Sequence, residues 1–335
     1  MLVTCVGILV ADIIAADLPK ISDPGELTFT ERSIELHIGG HSANVSIDLI
    51  KLGLEENTVS SVGAVGEDIF GNFIENTLKG YGVKCHLQKV VEAGTSKDLI
   101  LVVRGEDRRY HADAGANIHL SLEYVRHILH DEKPIIFYVG GAGLLGEFDE
   151  RLPEILREAK EMGCLTFLDP VSPYKHDWDI FIPALKWTDI FHCNNIEAER
   201  MTGEHDIERS TKRIIDEGTE LTIITFGERG LIARTREAKF RMPAFKVPIV
   251  DPTGAGDAFC AGVIYSMIQT ARRKRINIAD ISAERMLEIL LHGEAAGAAC
   301  VMMVGTTTGV MRDRVDRILR EQGSIILGRS RIERD

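Results

Sequence analysis

Short apolar runs alternate along this chain with longer windows in which apolar residues recur every three or four positions. The runs Cys5–Val10, Thr58–Val62, Ile135–Val139, Leu165–Leu168, Ile190–Cys193, Thr222–Phe226 and Leu231–Thr235 read as buried strands. The windows Ala43–Lys51, Ile69–Lys79, Phe148–Glu161, Glu197–Met201, Ser210–Asp216, Ala258–Arg273 and Ala283–Val301 read as helices. Strands alternating with helices predict an α/β architecture of three layers, a mostly parallel central sheet flanked by helices. Two stretches differ in texture. Asp17–His37 and Ser96–His111 alternate apolar and polar residues around turns such as Gly105-Glu106-Asp107, as antiparallel ribbons do. The expectation is one domain over residues 1–335, with a small β-sheet lid built from insertions at about 13–38 and 95–113.

The whole-chain numbers narrow the function classes. At 335 residues the chain is long enough to bury a substantial core. A net charge of −12 leaves no global footprint for nucleic acid or an anionic membrane. The basic run Arg272-Arg273-Lys274-Arg275 reads as a helix end set against the dipole. Six cysteines are scattered without a C-x-x-C pair, as in the reduced cores of cytosolic proteins. The apolar start from Met1 to Val10 lacks a basic flank and meets Asp12 too early for a leader, so it reads as a first strand. No run reaches the roughly 20 apolar residues of a membrane helix. A cytoplasmic protein is expected, and its charged last dozen residues are expected to be poorly ordered.

The densest chemistry lies in Asp251-Pro252-Thr253-Gly254-Ala255-Gly256-Asp257, which leads directly into an apolar helix. Glycines allow a sharp turn, and the free N–H groups of Gly254, Ala255 and Gly256 at a helix N-terminus form an anion site. Asp257 places a carboxylate beside that site, able to take a proton from an attacking hydroxyl. Cradle plus base suggests phosphoryl transfer. An N-cap aspartate after an ordinary turn is the competing reading of the heptapeptide alone. A second segment, Gly39-Gly40-His41-Ser42-Ala43-Asn44, opens another amphipathic helix that ends before Gly53.

Together the two segments resemble the paired signatures of the ribokinase family, the PfkB-type carbohydrate kinases. There Gly-Gly-x-x-x-Asn opens an N-terminal helix and Asp-x-x-Gly-Ala-Gly-Asp carries the catalytic acid. Matching features run in order from about residue 5 to about residue 310, nearly the whole chain. The resemblance implies a ribokinase-like fold and an ATP-dependent kinase acting on a sugar or polyol, with a nucleoside as the alternative acceptor. Asp12, Gly39, Gly40 and Asn44 match acceptor contacts. Asp12 also reads as a strand-end cap and Asn44 as a first-turn residue, while His41 faces either ligand or solvent. Asp257 matches the general base, and the amides of 254–256 match the anion hole.

At the nucleotide end, Asn194 and Glu197 match an Asn-x-x-Glu motif that organises Mg²⁺ and its waters. The same residues read equally as a capped helix start. Thr225, Gly227 and Gly230 match nucleotide contacts. Glu294 stands where many members have Asn near adenine, which leaves room for other donors. Gly305-Thr306-Thr307-Thr308-Gly309 falls near a monovalent-cation site, so K⁺ beside Asp251 and Thr253 is a further expectation. Asp68 reads as a helix cap, and Gly115-Ala116-Asn117 as a lid hinge. A homodimer through the lid follows from the family only.

One rival motif exists. Gly141-Ala142-Gly143-Leu144-Leu145-Gly146 satisfies G-x-G-x-x-G after a strand, and Asp169 ends the next strand, as in a dinucleotide fold. An NAD(P)-dependent oxidoreductase would use it but leaves the 39–44 and 251–257 segments unexplained. A non-catalytic sugar or nucleoside binder would leave Asp257 unexplained. No basic cluster near Asp12 or Asn44 announces a phosphorylated acceptor, which favours a neutral one.

Overall fold

The structure is a computed structural model that describes residues 1–106, 109–271 and 275–334. Strands are β1 (Val3–Gly7), β2 (Val10–Leu18), β3 (Ile34–Gly39), β4 (Val59–Gly66), β5 (Lys84–Val90), β6 (Lys97–Val103) and β7 (Arg109–Asp113). They continue as β8 (Ile136–Ala142), β9 (Leu165–Pro170), β10 (Ile190–Asn194), β11 (Leu221–Thr225), β12 (Leu231–Arg234), β13 (Ala238–Met242) and β14 (Arg331–Arg334). Ten of them form one sheet in the order β14-β13-β12-β11-β10-β9-β8-β1-β4-β5. Pairing is parallel from β5 to β11 and antiparallel from β11 to β14.

Alternation along the central strands builds the layers. Val3 and Cys5 of β1, with Ile136 and Tyr138 of β8, pack under the helices His41–Leu52, Ala255–Ala271 and Ala283–Cys300. Val6, Phe137 and Val139 point the other way, under the helices Leu122–Glu132 and Leu152–Glu161. Successive side chains on a strand leave opposite faces, so a strand buried on both sides reads as a continuous apolar run.

The segments expected to form a lid make a separate small sheet in the order β3-β2-β6-β7. Asp12 of β2 pairs with His37 and Asp98, and Ile100 of β6 pairs with Tyr110. Tyr110 places its hydroxyl 3.4 Å from that of Thr253, so this face of the lid meets the 251–257 loop. The alternate residues Leu36 and Leu99 are about 40% exposed on the outer face.

Several expectations need correction. The run Cys5–Val10 is not one strand. Asn117 accepts from the Leu9 amide at 3.0 Å and donates to the Leu9 carbonyl at 3.1 Å, so that backbone pairs with a side chain between two sheets. The lid therefore begins at Val10, and Asp12 lies within it rather than just past a core strand. The window Phe148–Glu161 splits into Glu147–Glu150 and Leu152–Glu161, because Pro153 is tolerated only in the first turn of a helix and so begins a new one. The charged C-terminal segment is ordered as far as Arg334: β14 pairs with β13, and Glu333 reaches Lys239 at 2.5 Å. Asp107 and the basic residues 272–274 lie outside the described residues. Among those described, no helix is long and apolar enough to cross a membrane.

Candidate active site

The glycine pair at the end of β3 has two separate causes. A Cβ at Gly39 would sit 2.2 Å from Asp12 Oδ2, so glycine leaves the space that the buried carboxylate fills. Gly40 has φ 91° and caps the helix His41–Leu52, with a Cβ position only 2.4 Å from the Ile8 carbonyl. Burial pushes the Asp12 carboxyl up to about 8, and Asp98, Asp257 and Asp251 add to the shift. At neutral pH this residue is a neutral acid, able both to donate and to accept.

Asn44 lies one turn into that helix. Its Nδ2 donates to Asp257 Oδ2 at 2.8 Å, and its Oδ1 accepts from the Thr306 hydroxyl at 2.8 Å. Asp257 sits in the first turn of Ala255–Ala271 and is not the N-cap. Its second oxygen, Oδ1, is buried without a hydrogen-bond partner. His41 Nε2 stands 3.8 Å from that oxygen, and His41 Nδ1 is likewise buried and unbonded. Burial raises the Asp257 carboxyl and Asp169 reinforces it, against His41 and Asn44. Burial disfavours the His41 imidazolium, but Asp257, Asp169 and Glu197 outweigh it and raise the ring's pKa. The result is a carboxylate held from one side, with a free oxygen facing a titratable ring.

The helix N-terminus opens beside it. Gly254 has φ 79°, and a Cβ there would come 2.6 Å from the Thr306 carbonyl. The amides of Gly254 and Gly256 find no acceptor among the described residues, whereas Ala255 donates weakly to Pro252 at 3.3 Å. Asp251 organises this loop: Oδ1 accepts from the amide and hydroxyl of Thr253 at 2.9 and 2.6 Å, and Oδ2 accepts from the Gly305 amide at 3.0 Å.

Asn194 and Glu197 form a full capping box, the Glu197 carboxylate accepting from the Asn194 amide at 2.9 Å. Burial holds the Glu197 carboxyl above its usual range, and Asp169 adds to this. Asp169 is buried and bonded to Tyr138 at 2.8 Å and to His192 at 2.9 Å. His192 continues to Thr225 at 3.3 Å. This polar chain runs beneath Asp257 toward the far cleft.

That cleft is a cavity of about 910 Å³. Thr225, Gly227, Ala255, Gly256 and Glu294 line it, among mostly apolar neighbours. Gly227 has φ 58° and nothing within 4 Å of a Cβ position. Gly230 is different: its Cβ position is 2.0 Å from the Met242 carbonyl, so this glycine serves the hairpin and does not line the cavity.

The rival glycine motif also has a packing explanation. A Cβ at Gly141 would meet Ile8 at 2.5 Å, one at Gly143 would meet the Val171 carbonyl at 2.8 Å, and one at Gly146 would meet the Ile118 carbonyl at 2.1 Å. Asp169, the acid that a ribose hydroxyl would need, is already bonded within the core. Sequence reasoning left His41 open, missed the Asp169–His192 pair, and placed Thr306 near a cation site without its bond to Asn44. No local pattern marks residues whose partners arrive from other strands.

A family model described as pfkB family carbohydrate kinase matches residues 1–313. The chain is 27% identical over 276 residues to an ATP-dependent 6-phosphofructokinase of Thermoanaerobacterium thermosaccharolyticum, covering 80% of this chain and 81% of that one. It is 26% identical over 317 residues to a ribokinase of Haemophilus influenzae, covering 92% and 94%. A solved ribokinase structure from Giardia lamblia superposes with a TM-score of 0.81 at 20% identity, over 96% of this chain and 98% of that one, which shows a ribokinase-like fold. The match over nearly its whole length places this chain in the pfkB family of carbohydrate kinases, phosphotransferases whose acceptor is a hydroxyl group.

Proposed function

We propose that this protein transfers the γ-phosphoryl group of ATP to a hydroxyl of a small neutral sugar or polyol. The observation that carries this reading is the free Oδ1 of Asp257, buried beside unbonded helix amides while Asn44 holds Oδ2. An acceptor hydroxyl between Asp257 Oδ1 and His41 would give its proton to Asp257, whose raised pKa makes it a stronger base than an exposed carboxylate. The amides of residues 254–256 would stabilise charge on the transferring group. Asp12, beside Gly39 and Gly40, would hold a neighbouring hydroxyl, and Asn44 would keep the base aimed. Closure of the lid toward Thr253 would exclude water and limit hydrolysis.

The nucleotide would occupy the cavity lined by Thr225 and Gly227, with its phosphates toward Gly256. Glu197 fits a hydrated Mg²⁺ ion: its carboxylate is held at a fixed point by Asn194 and keeps a second oxygen for a bound water. Bound there, Mg²⁺ supplies charge neutralisation on the phosphates. Asp251 and Thr253 bond each other, so K⁺ in this loop would draw on their carbonyl oxygens. The apolar outer face of the lid, with Leu36 and Leu99, supports a homodimer, which light scattering of the purified protein would test.

A nucleoside acceptor is the second reading, because the buried Asp12 suits any vicinal diol. The deciding experiment is acceptor-dependent ADP release with ATP and Mg²⁺ across sugars, polyols and nucleosides, with and without K⁺. Turnover with one class, lost in Asp257→Asn, supports the kinase and names the acceptor. Absence of turnover with every acceptor, in protein that binds no nucleotide, would overturn it.

A further inference from the structure

Glu294 is a charged-type residue in an apolar place. It projects from the helix Ala283–Cys300 on the same stripe as Gly297, Ala298 and Val301, all of which line the nucleotide cavity. Its neighbours there include Phe245, Val247, Ile249 and Phe259. The residue is 8% exposed, and its carboxyl makes no hydrogen bond or ion pair among the described residues. A buried polar side chain without a partner is costly unless a ligand supplies one. The glycines at 293 and 297 bring this helix close to Ala255–Ala271, so the carboxyl lies at the wall of a cleft whose other end is the phosphate cradle.

We propose that Glu294 reads the base of the nucleotide donor and that its proton decides which purine is favoured. The inference deepens the kinase reading and rests on it. Burial alone, with no charged neighbour contributing, raises the Glu294 carboxyl to about 8. Its neutral form offers one donor and one acceptor side by side. That pair complements an adenine edge, where the N6 amino group donates and N7 or N1 accepts. The ionised form offers acceptors only. It repels the ring nitrogens of adenine and suits the adjacent N1–H and N2–H donors of guanine. The other charged groups lining the cavity, Glu228, Arg229, Lys246 and Arg329, make no bond to Glu294. Asp257 on the facing helix serves the phosphoryl end and bears on both donors alike.

The test is calorimetric binding of ADP and GDP to the full chain at pH 6.5 and pH 9, which needs no acceptor. In the wild type, the ratio of ADP to GDP affinity should fall by about 10-fold or more as pH rises, the range of one paired base contact. Glu294→Gln, an uncharged side chain of the same shape, should hold that ratio constant across pH. Glu294→Leu should also be insensitive to pH and should bind ADP more weakly than Glu294→Gln. A wild-type ratio that does not change with pH, or one that changes equally in Glu294→Gln, would overturn the assignment. Failure of every form to bind either nucleotide would overturn the kinase reading as well.

Discussion

The Asp12 carboxyl group occupies the volume that any side chain at Gly39 would need, with only 2.2 Å between Asp12 Oδ2 and the Cβ position. The two residues, both proposed for the acceptor end, are therefore one steric unit. Gly39→Ala should displace the carboxylate and raise the acceptor KM by about 10- to 100-fold, the loss of one or two strong hydrogen bonds. The KM for ATP should stay unchanged. Steady-state kinetics with each substrate varied in turn separates the two, and an equal rise in both would argue for general damage instead.

Asp257→Asn keeps an oxygen to accept from Asn44 and removes the proposed proton acceptor. Turnover should fall by about 10²–10⁴-fold while nucleotide affinity is retained. Near-normal kcat in this variant would remove Asp257 from the mechanism.

Gly254→Val tests the proposed phosphate cradle. The new side chain would meet the Thr306 backbone at 2.6 Å in a left-handed conformation that valine avoids. The expected outcome is loss of turnover with an unchanged circular dichroism spectrum. A folded variant with normal kcat would mean that the amides do not act on the transferred group.

Asp12 also sets a pH dependence of stability. Its carboxyl titrates near 8 in the fold and near its ordinary value of 3.8 when unfolded. Between these values the folded chain keeps a proton that the unfolded chain releases, so stability falls as pH rises through that window. Asp12→Asn lacks this loss. Its melting temperature should therefore gain on the wild type from pH 5 to pH 9. A constant difference across that range would contradict the shifted titration.

Asn117→Ala should destabilise the fold by about 2–4 kcal/mol, because it strips both the buried N–H and C=O of Leu9 of their partners. Urea unfolding would measure it, and an effect within experimental error would show that the backbone of Leu9 finds other partners. The sequence reading treated this residue as part of a lid hinge. Its side chain in fact fastens the crossing from the core sheet to the lid.

Asn117 illustrates which parts were legible. Segments whose requirement is local could be read directly: Gly40 and Gly254 need positive φ, Asp68 caps its helix by accepting from the Gly71 amide at 2.8 Å, and the apolar runs give the central strands. Some signals were present but passed over. Leu122, Val125 and Leu129 carry helical spacing for Leu122–Glu132, and Pro153 marks the break near Arg151. The pairing of β14 with β13 had no local sign, since charge alone does not show that Glu333 will meet Lys239.

By itself, the sequence determined the alternating α/β order, the two glycine-led helix starts and the residue types needed for phosphoryl transfer, because backbone conformation and burial pattern act over a few neighbouring residues. Only the tertiary structure decided that Asn44 would orient Asp257 across 213 positions, that His41 would face its free oxygen, and that Glu294 would end unpaired in an apolar cleft. Those relationships depend on which strands lie side by side. Burial then shifts the acids, because a carboxylate removed from water loses solvation that only its new neighbours can replace.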